Sequence, residues 1–284
     1  MKSKKSIAIF LLGIFCLTQI SCKKLSNSND ETSYDLSSKQ AISDGLTEDI
    51  NNLVLGAIDD KNYTFKNYNN ATVDNGLPAC ATISVSGSFP NKLININFGS
   101  GCIDSFGIFR SGIIHILLSD SIRTYGSTVT VNFENYHVKK YKKEGTIIWT
   151  NQTPNNSINT RIWNRQIQNG KITDTTDGRY WLHSSMKTVN QYEGTLTPRT
   201  RIDDKYKIYN GSGNITNNSG TIMTTTILDT LFKSFSCAHI DKGTVKIERT
   251  NHYAVLDYGN GDCDNLATIT IDGNTSIVRA ITLP

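Results

Sequence analysis

Short runs that alternate apolar and polar residues fill most of the chain after residue 80. β-branched and aromatic side chains dominate them, as in 128–133, 146–150 and 244–248. Alternation with a period of two is typical of strands that bury one face. We therefore predict an all-β fold with about a dozen strands or slightly more, arranged as an antiparallel meander that forms a sandwich, a barrel or a long curved sheet. The turn signals between the runs are Gly126-Ser127, Asn169-Gly170, Asp177-Gly178, Asn210-Gly211, Asn218-Ser219-Gly220 and Asp272-Gly273-Asn274.

One helix is predicted ahead of the strands, over residues 37–58. Ile42, Leu46, Ile50 and Leu53 recur there near helical spacing, after serines that can cap a helix. We expect this helix to lie on one face or at one end of the sheet.

Cysteine spacing exposes an internal repeat. Residues 96–104 and 256–264 both read apolar, any residue, aromatic, Gly, any residue, Gly, followed by Cys and Asp. Each motif has a cysteine and two strand-like runs before it, and strand-like runs after it. This similarity predicts two related units, at about 80–118 and 237–283, on either side of a longer middle segment.

Four cysteines lie in the predicted exported body, and they can form two disulfides in three ways. The repeat favours one of these three pairings. Local pairing joins Cys80 to Cys102 and Cys237 to Cys263, so that each disulfide links the start of a hairpin to its end. On the chain-entropy model each bond contributes roughly 3 kcal/mol. Metal–thiolate ligation is the alternative, but paired Cys-x-x-Cys spacing is absent from the sequence.

The N-terminus is predicted to be an export signal. Residues 1–5 include three lysines, and residues 7–17 are almost entirely apolar. A basic start, a short apolar run and a small residue before the cut are typical of a secretory signal peptide. The apolar run is shorter than the roughly 20 residues that a membrane-spanning helix needs. We therefore predict that residues 1–21 are a signal peptide.

Cys22 is the predicted lipidation site. It follows Ser21, precedes two lysines and resembles the cysteine of a bacterial lipobox, although Gln19 stands where that pattern has leucine. Acyl chains on Cys22 would anchor the protein to a membrane. Ordinary secretion, with Cys22 removed or left as a free thiol, is the alternative. Residues 22–38 are predicted to be a flexible tether, and residues 39–284 a single β-rich domain.

Net charge argues against a nucleic-acid partner. The whole chain carries +4, but residues 1–21 hold three lysines and no acid, which leaves 26 basic and 25 acidic side chains. A nearly neutral body offers little electrostatic attraction to phosphates. The lysine run at 139–143 is interpreted as a solvated strand edge.

The assembled features resemble a known group. The Ser-Cys-Lys-Lys junction at 21–24, the polar tether, the β-rich body and the Tyr-Gly-Asn-Gly-Asp-Cys-Asp-Asn motif at 258–265 are similar to uncharacterised exported lipoproteins of Bacteroidota. Residues 97–112 share the likeness, which covers roughly 80–284. The resemblance implies a lipid-anchored envelope protein and supplies no catalytic residues.

Two sets of side chains are candidates for binding. Aromatic rings on a sheet can stack on sugars or other flat ligands, although core packing is the alternative for them. The stacking candidates are Trp149, Trp163 and Trp181. Acidic side chains around the second repeat are weak calcium candidates, with turn formation as the alternative. These are Asp257, Asp262 and Asp264.

The sequence favours a non-catalytic structural or ligand-binding protein of the bacterial cell envelope, held at the outer membrane by lipid. A glycan or another envelope molecule is the expected ligand class, no cofactor or firm metal site is expected, and oligomeric state is left open. A secreted carbohydrate-active or other hydrolytic enzyme is the alternative, because the separation of a carboxylate pair is spatial rather than sequential.

Overall fold

A computed structural model describes residues 28–61, 77–105, 107–197 and 201–283. They form one helix followed by fourteen strands. The helix α1 spans Ser28–Lys61. The strands are β1 Thr82–Ser86, β2 Lys92–Asn97, β3 Cys102–Ile103, β4 Phe109–Leu118, β5 Thr128–Val138, β6 Tyr141–Asn151, β7 Arg161–Asp174, β8 Tyr180–Glu193, β9 Lys205–Asn217, β10 Ile222–Ser234, β11 Lys242–Arg249, β12 His252–Asn260, β13 Leu266–Ile271 and β14 Asn274–Thr282.

All strands belong to one antiparallel sheet, which confirms the all-β meander. Each strand pairs with the next in sequence, except that the short β3 lies beside β4, so β2 pairs with β4 directly. The order therefore runs from β1 to β14 without a crossover. Hairpins with short turns make this the simplest topology for such a sequence.

The sheet curves around α1. On the helix, Asp49 accepts a hydrogen bond from Arg110 of β4, and Asp44 accepts one from Tyr258 of β12. Five helical residues span only about 7.5 Å along the axis. Eight strand spacings separate β4 from β12, which is about 38 Å along a flat sheet. Both strands can reach the middle of one helix only if the sheet bends, so the meander is a curved sheet, one of the three forms predicted.

The helix is longer than predicted. It begins at Ser28 rather than near residue 37, and Ser33 and Leu36 in its first turns are buried. The tether prediction is therefore wrong for residues 28–38, which are helical and packed on the sheet. The polar composition that suggested a linker instead supplies hydrogen-bonding groups to a helix that is buried on several sides. Residues 1–27, including the predicted signal peptide and Cys22, lie outside the described residues.

Two predicted turns lie inside strands. Asn169 and Asn210 have φ values of 50° and 47° but lie within β7 and β9, next to register shifts in the strand pairing. Asparagine tolerates this left-handed conformation in a bulge as readily as in a hairpin turn. Opposite Asn169, Gly145 has a φ of 104°, and a Cβ there would lie 2.5 Å from the Asn169 carbonyl oxygen. Register shifts recur in the adjacent pairs from β4 to β11 and increase the local twist.

Both predicted disulfides are present. Cys80–Cys102 encloses the β1–β2 hairpin and Cys237–Cys263 encloses the β11–β12 hairpin, each with a Cα–Cα distance of 5.6 Å. The turns after the hairpins also match. The amide of Gly99 donates to the Asn97 side chain at 2.8 Å, and the amide of Gly259 donates to the Asp257 side chain at 2.9 Å.

Candidate functional site between the helix and the sheet

The middle of α1 carries three carboxylates that meet cations of the sheet. Their spacing places them on neighbouring positions of the helix surface, since residues four apart lie one turn apart. Strands β8, β7 and β4 supply the partners from inward-facing positions. The pairs are Asp44 with Lys187 at 2.5 Å, Glu48 with Arg165 at 2.7 Å and Asp49 with Arg110 at 2.5 Å.

Asp44 and Glu48 are the most enclosed of these carboxylates, each with 5% of its surface exposed. Asp44 makes two side-chain contacts with the sheet. Burial alone would raise its pKa, but the charge and hydrogen bond of Lys187 outweigh burial and hold the pKa below its usual value. The Tyr258 hydroxyl donates to the second carboxylate oxygen at 2.9 Å. Burial, and then the neighbouring charge of Asp44, raise the pKa of Tyr258 well above its ordinary value. Asp44 is therefore ionised and joins α1 to β8 and β12 together.

Arg110 joins α1 to the first disulfide-linked unit. Its guanidinium contacts Asp49 on the helix and Asp104 beside β3, each at 2.5 Å. Asp104 also accepts the backbone amide of Ile108 at 2.8 Å. One buried cation is thus shared by two carboxylates from different parts of the chain.

Lys143 lies beside His183 within the same interface. The Lys143 Nζ and His183 Nε2 atoms are 2.5 Å apart. Burial lowers the pKa of Lys143 to about 7, although the charge of Asp44 opposes that change. Burial, followed by the charges of Lys143 and Lys187, lowers the pKa of His183 well below its usual value. His183 is therefore neutral at neutral pH, and Lys143 loses its proton far more readily than an exposed lysine.

The burial of Lys143 corrects the interpretation of the lysine run. Lys143 is 1% exposed, whereas Lys139 and Lys140 form the turn between β5 and β6. The run is a solvated edge only at its start. Because side chains alternate along a strand, Lys143 shares the inward face of β6 with Ile147 and Trp149.

Lys233 is a second buried amine. It donates to the backbone carbonyls of Ser234, at 2.5 Å, and of Cys237. Burial lowers its pKa to about 8, against the opposing charges of Glu48, Asp241 and Asp49. Lys233 therefore secures the backbone that precedes the second disulfide.

Together these groups suit structural pairing better than catalysis. An amine with a pKa near 7 has the chemistry of a general base or nucleophile. Lys143 and His183 are, however, 1% and 6% exposed beneath α1. A substrate has no open path to either group in this arrangement, and the two side chains contact each other, between β6 and β8.

An open pocket lies at one end of this interface, and we call it the junction pocket. Its volume is about 170 Å³. One helix face and two hairpin ends form its walls, with the hairpins tied together because Thr175 donates to the Lys140 carbonyl oxygen. The lining residues are Asp35, Ser38, Lys39, Ile42, Lys140, Tyr141, Asp174, Arg179 and Trp181.

The three tryptophans are core residues rather than a stacking platform. Trp149, Trp163 and Trp181 are each 2% exposed. The rings of Trp149 and Trp163 pack at 5.9 Å, and the Trp181 indole donates to the Ser43 hydroxyl at 2.9 Å. All three side chains occupy inward-facing strand positions, so they pack in the core, which was the alternative to stacking on a ligand. The more accessible aromatic pair is Tyr192 with Phe232, which sequence reasoning did not single out as a pair.

The calcium candidates act in turns. Asp257 accepts the amide of Gly259, and Asp264 accepts the amide of Leu266, both at 2.9 Å. The backbone carbonyl of Asp262 accepts the amide of Asp264 at 2.9 Å. Across residues 28–61, 77–105, 107–197 and 201–283, no group of three or more His, Cys, Asp or Glu side chains is arranged to hold a metal ion.

The neighbouring carboxylates of Asp203 and Asp204 have different hydrogen-bond partners. Asp203 accepts the Thr197 hydroxyl at 2.6 Å. Asp204 instead accepts Gln191, Arg201 and Tyr206 within 2.7–2.9 Å. These two carboxylates therefore serve separate hydrogen-bond networks.

Among the described helical residues, no stretch is both long and apolar enough to cross a membrane. Comparison of the chain with family models, with curated proteins and with solved structures gave no match in any of the three cases.

Proposed function

We propose that this chain is a lipid-anchored protein of the bacterial cell envelope with a non-catalytic, ligand-binding role. The anchor rests on the sequence of residues 1–24, where a signal peptide leads to the lipobox-like Cys22. The resemblance to exported Bacteroidota lipoproteins supports the same location, at the outer membrane. The two disulfides fit an oxidising compartment.

One observation favours binding over catalysis. The chemically reactive amine Lys143 is enclosed under α1, whereas the accessible junction pocket is lined by charges already engaged in pairs. Paired charges around an accessible pocket suit recognition of a polar ligand. The hydrolytic alternative has less support, because Asp44, Glu48, Asp49 and Asp204 are each held by a cation.

Intact mass of the protein from the membrane fraction of its own cells tests the anchor. We expect the mass of residues 22–284 plus acyl chains, and loss of both acylation and membrane association in Cys22→Ala. Cys16→Ala is the matched control, because Cys16 lies in the segment that is cut away and its loss leaves the mature protein unchanged. An unacylated mature mass for the unaltered protein would remove the proposed anchor.

A further inference from the structure

We infer that the junction pocket binds a small zwitterion of amino-acid size, through its carboxylate and its ammonium group together. This inference deepens the proposed ligand-binding role and rests on it for biological meaning. It does not depend on lipidation. Three features of the pocket carry it: its paired charges, an apolar floor and its volume.

Charges of both signs line the pocket in pairs. On α1, the Lys39 Nζ lies 2.7 Å from Asp35, and across the two hairpins the Lys140 Nζ lies 2.8 Å from Asp174. Hydrogen bonds from Lys140 and Thr176 outweigh partial burial and lower the pKa of Asp174. The pocket therefore offers fixed positive and negative groups at neutral pH.

Arg179 adds a further cation at the rim. Its strongest contact is with Asp177, at 2.7 Å, and its side chain is 64% exposed. The charges of Asp35 and Asp174 also act on it. An exposed guanidinium with several free N–H groups can turn toward an entering carboxylate, because it presents five donors in a planar fork.

Size and the apolar floor limit the ligand. Ile42, Tyr141 and Trp181 give the pocket one apolar side. A volume of about 170 Å³ resembles a cavity of about 150 Å³ that holds benzene, so roughly six to nine non-hydrogen atoms fit. A stacked sugar ring is less suitable, because Trp181 is buried and presents no open ring face.

The charge arrangement selects a zwitterion over an ion of one sign. A ligand with only a carboxylate would be attracted by Lys39 and Arg179 but repelled by Asp35 and Asp174. A ligand with only an ammonium group would be attracted by the two aspartates and repelled by the two cations. A molecule with both groups a short distance apart satisfies both sets. Opposite charges placed to match a ligand discriminate chiefly by penalising the wrong one.

Ligand-observed NMR with the purified, detergent-solubilised mature protein tests the inference. The probe is L-alanine, with propionate, ethylamine and glucose as ligands that lack one or both charges. We expect L-alanine to bind at least about tenfold more tightly than each of the other three. Arg179→Gln and Lys39→Met should each weaken L-alanine binding about three- to tenfold. Arg123→Gln, at an exposed arginine outside the pocket lining, should leave binding unchanged.

The outcomes separate this inference from the proposed function. Equal binding of propionate or ethylamine, or binding that Arg179→Gln and Lys39→Met leave unchanged, would overturn the zwitterion site. Preferential binding of glucose would also overturn it while supporting an envelope ligand of another class. Absence of all binding alongside an acylated Cys22 would remove the zwitterion and leave the anchor. Binding of L-alanine to an unacylated protein would support the site and remove the anchor.

Discussion

Lys187 on β8 and Asp44 on α1 form a buried ion pair with a donor–acceptor distance of 2.5 Å. We predict that Lys187→Met lowers the free energy of unfolding by about 3–5 kcal/mol, because it leaves the Asp44 carboxylate buried without its cation. Asp44→Asn together with Lys187→Met should recover part of that loss. Lys171→Met is the control, since Lys171 forms an exposed pair with Glu144 and should cost less than about 1 kcal/mol. Denaturant titration measures all three, and equal losses in Lys187→Met and Lys171→Met would contradict the account.

Lys143 should make stability depend on pH. Its pKa is lowered from 10.5 to about 7 on folding, so between these values the unfolded chain binds a proton that the folded chain does not. The free energy of unfolding therefore rises with pH across this window. Below pH 7 the folded protein bears the full cost of burying a charged Lys143.

Lys143→Met should accordingly raise stability at pH 7 by a few kcal/mol and reduce the rise between pH 7 and 10, of which Lys233, with a pKa of about 8, keeps its own part. The control is Lys142→Met, because Lys142 points to the other face of β6 and pairs with Glu144 at 3.1 Å. Unfolding titrations at pH 7, 8.5 and 10 give the slopes. A slope that persists unchanged in Lys143→Met would assign the pH dependence to other groups.

Protonation of His183 should destabilise the protein in acid. Its pKa in the folded protein lies well below the value of 6.5 that applies in the unfolded chain. As the pH falls below 6.5, the unfolded chain therefore takes up a proton before the folded chain does, and the free energy of unfolding falls. Substitution by neutral glutamine should reduce the loss between pH 6.5 and 5. The melting temperature followed over this range tests the prediction, and an identical acid profile for His183→Gln would refute it.

Gly145 should be intolerant of a side chain. A Cβ at this position meets the Asn169 carbonyl oxygen at 2.5 Å and also requires a φ of 104°. We expect Gly145→Ala to cost more than about 3 kcal/mol, through both backbone strain and the clash. Gly220→Ala is the matched control, because Gly220 has a φ of 85° and open space around its Cβ. Only strain of about 1 kcal/mol applies there, so similar losses for the two variants would count against the close approach of β6 and β7.

Each disulfide should contribute separately. The enclosed sequence separations are 22 and 26 residues, for which chain entropy gives about 3 kcal/mol each. Cys80→Ala with Cys102→Ala, and Cys237→Ala with Cys263→Ala, should each lower the free energy of unfolding by about that amount. Adding reductant should destabilise each double variant further, through the bond that remains. A double variant as stable as the parent would show that its hairpin needs no covalent link.

The sequence predicted the strands well because alternation is a local signal. The alternating runs at 128–133, 146–150 and 244–248 predict strands, and they lie within β5, β6 and β11. Asp177-Gly178 was read as a turn and lies in the turn between β7 and β8. Asn169-Gly170 carries the same conformational preference but occupies a bulge, since positive φ alone does not say whether a chain reverses.

Inward-facing charge was the part of the site that sequence reasoning missed. Counting back by twos from Trp149 and Ile147 places Lys143 on the buried face, so alternation held the signal. The composition of the run pointed instead to an exposed position for Lys143, because consecutive lysines usually lie on a solvated surface. The carboxylates that pair with the buried cations lie on α1, far away in the sequence. Asp44 and Lys187, for example, are more than one hundred residues apart. Only the curvature of the sheet brings them together.

The tether was mispredicted for a related reason. Residues 28–38 are rich in polar side chains and lack the apolar stripe of a surface helix. In a helix enclosed by a sheet with polar inward positions, serine can pair internally, as Ser37 does with the Ser33 carbonyl at 2.7 Å. Amphipathic pattern is a poor guide where the surroundings of a helix are themselves mixed.

Hydrogen–deuterium exchange of the intact protein tests most directly the claim that α1 lies inside the curved sheet. Peptides covering residues 36–58 should exchange as slowly as peptides from β7 and β8, because their amides are buried in the same cooperative unit. Exchange of the helix within seconds, while β7 and β8 stay protected, would contradict the buried ion pairs and the junction pocket that depends on them.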